Sequence, residues 1–189
     1  MASKFVHSGL FFLTVCLILC TIALIAPYWM VNPNIQENTG LYAMCSGTRH
    51  RCYWFFEDDF AWQKARDGWH KSCQGLYTAG LAILYVAMLI ACLLSCSITS
   101  DDNLWPALVI NSMVSLAYLL MGAGIVVFGV KAHEHFNAAM HGTAYLFTWA
   151  YFTGISGVLA GFLSGVCYSL ERCFTRTKAD DGYLRGDVY

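Results

Sequence analysis

Charge is missing from most of this chain, and the places where it is missing dictate what the chain can fold into. No Asp, Glu, Lys or Arg occurs between Phe5 and Gln36, between Ser72 and Ser100, between Asn103 and Val130, or between His135 and Leu170. A helix needs about 20 apolar residues to cross a bilayer, and each run supplies them. Four membrane-spanning helices are expected, over Gly9–Tyr28, Leu76–Ile98, Leu104–Gly129 and Ala144–Leu170. The first run is too long for a cleaved leader and no Ala-x-Ala-like site follows it, so it reads as a span. With 58% hydrophobic residues, 12% charged and a net charge of −1, no basic face is left for nucleic acid.

The one long polar segment runs from Pro27 to Gly75 and holds three of the nine cysteines, Cys45, Cys52 and Cys73. Leu41–Cys45 and Cys52–Phe56 are rich in aromatic and apolar residues and read as strands. The polar stretch between them contains Gly47 and reads as a turn. Cys45 and Cys52 then face each other at the mouth of a hairpin, close enough for a disulfide. The alternative is two free cysteines buried as small hydrophobes. Glu57-Asp58-Asp59 follows the hairpin. Ala61, Trp62, Ala65 and Trp69 then fall on one helical face, with Asp58 or Asp59 as cap. Tyr28 and Trp29, at the end of the first span beside Pro27, suit a membrane–water interface.

The second and third spans are joined only by Ser100–Asn103, so they are antiparallel neighbours. A shorter polar segment, about 131–143, carries His133, His135 and His141. Their spacing could be read as a zinc set, but short polar loops often hold histidine and the expectation is no metal and no cofactor. Span four carries Gly157, Gly161 and Gly165, each four residues apart. Such a stripe lets helices approach closely in lipid, within one bundle or between copies. Cys92, Cys96, Cys167 and Cys173 lie near the membrane boundaries and are candidates for S-palmitoylation. Residues 172–189 are polar and glycine-containing and are expected to be disordered. The terminal Asp187-Val188-Tyr189 could add a strand to a PDZ-type scaffold.

Basic residues divide too evenly to orient the chain, but a disulfide needs an oxidising side. That puts Pro27–Gly75 outside and both termini in the cytoplasm. Four spans, a large first outer loop and the residues Trp29, Gly40, Leu41, Cys45 and Cys52 resemble the claudin superfamily, which includes the peripheral myelin, epithelial membrane and calcium-channel γ-like proteins. Trp62-Gln63-x-Ala65-Arg66 is similar to the stretch that leads claudins into their second span. Tyr42 stands where claudins have tryptophan, the cysteines are closer in sequence, and a longer stretch separates Arg66 from span two. This resembles an invertebrate or divergent member. The resemblance implies an all-α membrane protein, a left-handed four-helix bundle with a small extracellular antiparallel sheet from the first loop. It makes residues 1–171 one domain, with outer loops at about 28–75 and 131–143.

An enzyme is not expected. The four runs contain no ionisable Asp, Glu, Lys or Arg of the kind that marks intramembrane catalysis or transport. Cys16/Cys20 and Cys92/Cys96 have the wrong spacing for a thiol oxidoreductase. No Gly-x-Ser-x-Gly or His-Glu-x-x-His occurs. The expected function is adhesion and a paracellular barrier at cell–cell junctions of the plasma membrane. Its partners would be membrane lipid, other copies in cis and trans, and a PDZ scaffold. Glu57, Asp58 and Asp59 would then favour cations. The alternative is an auxiliary, γ-like subunit of a channel or receptor.

Overall fold

In the computed structural model the described residues are 4–34, 36–46, 51–54, 68–96, 105–139 and 145–186. Along the chain run α1 (Lys4–Ile25), β1 (Met30–Asn32), β2 (Glu37–Thr39), β3 (Ala43–Ser46), β4 (Arg51–Trp54), α2 (Gly68–Cys96), α3 (Trp105–Ala139), β5 (Leu146–Phe147) and α4 (Trp149–Gly186). All four helices are long and apolar enough to cross a membrane, within Phe5–Ile25, Gly68–Leu93, Leu108–Glu134 and Trp149–Glu171. The chain is a multi-pass membrane protein with a small antiparallel sheet.

The helices overrun the apolar runs. Hydropathy marks membrane depth, whereas helix length follows backbone propensity and packing. α2 begins at Gly68, because Cys73, Tyr77, Leu81 and Leu84 already form its buried stripe. α3 continues through Ala139, so most of the expected second outer loop is helix. Lys131 and Glu134, three residues apart, form an ion pair of 2.7 Å on it. α4 likewise continues to Gly186, where a disordered tail was expected. α1 starts at Lys4 and stops at Ile25, just before Ala26-Pro27.

α1 packs most extensively on α4, and α2 on α3. Small residues make both contacts. A Cβ added at Gly157 would lie 2.6 Å from Cys20 Sγ and 3.1 Å from the Cys20 backbone nitrogen. At Gly161 it would lie 3.0 Å from Cys16 Sγ, and at Gly154 3.5 Å from Ala23 Cβ. Gly165 instead faces α3, 3.6 Å from Asn111 Oδ1. The glycine stripe is thus covered inside one chain, largely by α1. Across the other pair, a Cβ at Gly80 would lie 2.7 Å from the Ala117 carbonyl oxygen. Without a hydrophobic driving force in lipid, such close approach supplies the van der Waals contact that holds helices together.

The sheet has strand order β4-β3-β2-β1-β5, all antiparallel pairs. Only the β3–β4 hairpin was expected from sequence, with strands over Leu41–Cys45 and Cys52–Phe56. Ser46 pairs with Arg51, and Cys45 with Cys52, so the ladder takes in two residues expected in the turn. β1 and β2 form a second hairpin around Pro33-Asn34. The Asn34 backbone N–H donates to Asn32 Oδ1 at 3.1 Å, the side-chain turn that asparagine favours. Gln36 completes it at φ 51°, a left-handed conformation. The Asn-Pro-Asn sequence was the available signal for this turn. β5 lies between α3 and α4, at the start of the expected fourth span, so the sheet is not built from the first loop alone. Two residues are too few to show periodicity, and sequence could not find them.

Candidate functional site

The surface most suited to function is the sheet, and its geometry begins with Trp29. This side chain is fully buried, where an interfacial position was expected. Its indole N–H donates to the Ala23 carbonyl at 2.6 Å, and that carbonyl is freed because α1 stops two residues later. Three rings from three helices surround it edge-on: Tyr77 of α2 at 5.6 Å, Phe128 of α3 at 4.9 Å and Tyr151 of α4 at 5.7 Å. Each edge-to-face contact is worth about 0.5–1.5 kcal/mol beyond its buried area. Trp29 therefore pins the chain just before β1 into the end of the bundle that carries the sheet. The interfacial role falls to Tyr28, which is exposed and packs against exposed Trp149 at 5.9 Å.

The other residues of the sequence motif converge on the same junction. A Cβ at Gly40 would lie 2.5 Å from the Ala26 carbonyl oxygen and 2.7 Å from Pro27 Cα. Only glycine lets β2 leave the sheet against the end of α1. Leu41 is fully buried, and its carbonyl accepts from Gln74 Nε2 at 2.7 Å and bonds His70 Nε2 at 3.1 Å. His70 is buried against Phe128 and Trp69. The Tyr42 hydroxyl shares a 2.8 Å hydrogen bond with Thr78 Oγ1, so Tyr42 docks on α2. Arg66 lies outside the described residues. On the far side Thr148 joins β5 to the same place: its backbone N–H donates to Trp29 O at 3.0 Å and its hydroxyl to Tyr28 O. The Thr148 carbonyl then accepts from Tyr151 N at 3.1 Å and starts α4. His70, Gln74, Thr78 and Thr148 were not singled out from sequence. As single polar residues at helix starts they carry no distinctive pattern.

Cys45 and Cys52 are disulfide-bonded, with Cα atoms 3.9 Å apart. Cys45 is buried and Cys52 exposed. β4 stands at one edge of the sheet, with Arg51 and Trp54 exposed on it. On the opposite edge, burial pushes the Tyr145 phenol above its ordinary value; the Glu37 carboxylate adds to this and a hydrogen bond with Asn32 offsets it. Cys73 is not a loop thiol. It is buried on α2, its carbonyl facing Gly124 of α3.

The remaining candidates do not gather here. Glu57, Asp58 and Asp59, residues Ala61, Trp62 and Ala65 of the expected helix, His141, and Asp187-Val188-Tyr189 lie outside the described residues, whereas Trp69 belongs to α2. His133 and His135 both belong to α3 and not to a loop. Among the described residues no group of three His, Cys, Asp or Glu side chains could hold a metal ion. Cys92 and Cys173 are exposed and Cys167 is half-buried; Cys96 is the last residue of α2. No protein-family model matches this chain, and no curated protein matches it.

Proposed function

We propose that this chain is a claudin-like protein of cell–cell contacts in the plasma membrane, with the sheet outside and both termini in the cytoplasm. The observation that carries this reading is how firmly the sheet is mounted. It is stapled by Cys45–Cys52, pinned at Trp29 and tied to α2 through Leu41 and Tyr42. A surface held this way meets a partner with little ordering cost. The residues that do the mounting, Trp29, Gly40, Leu41, Cys45 and Cys52, are those that carry the resemblance. The disulfide supports an extracellular sheet. Exposed Trp54 on the edge strand β4 gives that sheet an aromatic contact.

On this reading the sheet meets other copies in cis and trans and shapes a barrier or an ion path between cells. Glu57, Asp58 and Asp59, following β4 in sequence, concentrate cations along that path. The test is expression in an epithelial layer. The protein is expected at cell contacts and is expected to change transepithelial resistance. Replacing Glu57, Asp58 and Asp59 with Gln, Asn and Asn is expected to reduce cation preference in dilution potentials without loss from the contacts. A protein that stays away from contacts and copurifies with a channel is instead an auxiliary subunit.

A further inference from the structure

We propose that the groove between α3 and α4, at the end of the bundle away from the sheet, binds a sterol from the surrounding leaflet. The groove has a volume of about 250 Å³, and Tyr118, Phe162, Val166 and Leu170 give it apolar walls. Gly165 makes the room: nothing lies closer to an added Cβ there than Asn111 Oδ1 at 3.6 Å and Tyr118 at 3.7 Å. Ser115 and Ser169 supply its hydroxyls, and the lining among the described residues is uncharged.

Position and polarity select the occupant. The stretch of α3 long and apolar enough to cross a membrane begins at Leu108, and that of α4 ends at Glu171. Ser169 therefore lies about 3 Å inside the end of the α4 stretch, at 1.5 Å per residue. There it accepts a hydrogen bond of 3.2 Å from Asn111 Nδ2. By the same rise Phe162 lies about 13 Å in from that end, close to half the roughly 30 Å thickness of a hydrocarbon core. It packs edge-on against Tyr118 at 5.8 Å. The groove is thus polar at the headgroup level and aromatic at depth, open to lipid along its length. A hydroxyl both donates and accepts, so it can join the Ser169–Asn111 pair. Stiff ring walls favour a rigid fused-ring body over an acyl chain, which loses rotamer freedom on ordering. Those properties together describe a sterol. The inference does not depend on the junctional reading, and its test needs no cell layer.

The full chain is reconstituted in phosphatidylcholine vesicles that carry a photoactivatable diazirine sterol, irradiated, and its labelled peptides mapped. Labelling is expected to concentrate on residues 115–118 and 162–170 and to fall when unlabelled cholesterol is added. Val166→Trp, which fills the groove, is expected to lose it. Leu159→Trp, at an exposed position on the same helix, is expected to keep it. Ser169→Ala, which removes only the hydroxyl, is expected to weaken it, and serves if Val166→Trp does not fold. Labelling spread over every lipid-facing helix, or unchanged in both groove variants, overturns the proposal. So does labelling that disappears as copies cross-link through Cys173, which would give the groove to a second copy of the chain.

Discussion

Trp29 at the sheet end of the bundle and Gly157 within the span are both buried, yet nothing about how they are buried is the same. Trp29 fills a space that three helices leave open, and holds it with a hydrogen bond and three ring contacts. Gly157 works by filling nothing, so that α1 can lie against α4. One end of the molecule is held by directional groups, where water competes and specificity needs geometry. The other is held by shape alone, where lipid offers no hydrophobic gain. Damage to the two regions should therefore differ in kind.

The largest effect is expected from Trp29→Ala. Emptying a buried aromatic site costs about 3–5 kcal/mol, and here the loss also uncouples the sheet from α2, α3 and α4. Detergent-solubilised protein should melt far lower, and little should reach the cell surface. Normal surface expression would mean that Leu41 and Thr148 suffice to mount the sheet.

Next comes a graded series on α4. Overpacking a tight site costs about 1–3 kcal/mol, and the series should follow the room available. Gly157→Leu should be worst, because it meets the Cys20 backbone. Gly161→Leu should be intermediate, because it meets the Cys16 side chain, and Gly165→Leu mildest. Melting temperatures in detergent give the order. Three equal losses would show that the stripe responds to helix propensity and not to contact with α1.

The smallest effect on the whole molecule is expected from Cys45→Ser with Cys52→Ser. The loop closed is short, so the chain-entropy contribution is roughly 2–3 kcal/mol, and it acts on β3 and β4 alone. Hydrogen exchange should rise in these strands while the helices stay protected. Loss of the helices as well would mean that sheet and bundle fold as one unit.

The same contrast explains what could be read from the sequence. Spans announce themselves because every lipid-facing residue obeys one rule, and a stripe such as Gly157, Gly161 and Gly165 repeats it at fixed spacing. The Cys45–Cys52 hairpin was legible because two cysteines and a polar turn sit close together in the chain. The mounting was not. Trp29 looks like an interfacial tryptophan until Tyr77, Phe128 and Tyr151 are brought to it from far along the chain. Thr148 and β5 matter only because β1 is beside them. Helix ends were misjudged for a related reason: charge at Lys131 and Glu171 ends the apolar run, and the backbone continues regardless.

The unbroken run of α4 past the span changes what its last turns can do. Residues 172–186 rise about 22 Å as helix at 1.5 Å per residue. A flexible chain of that length would reach a similar distance, about 5–6 Å times the square root of its residue count. The difference is not reach but freedom. A flexible tail sweeps a hemisphere and a partner must collect it at an entropic cost. A helix continuous with the span holds its far end at one height and one bearing around the bundle. Neighbouring bundles in register would then present their tails as an ordered row on the side of the membrane opposite the sheet.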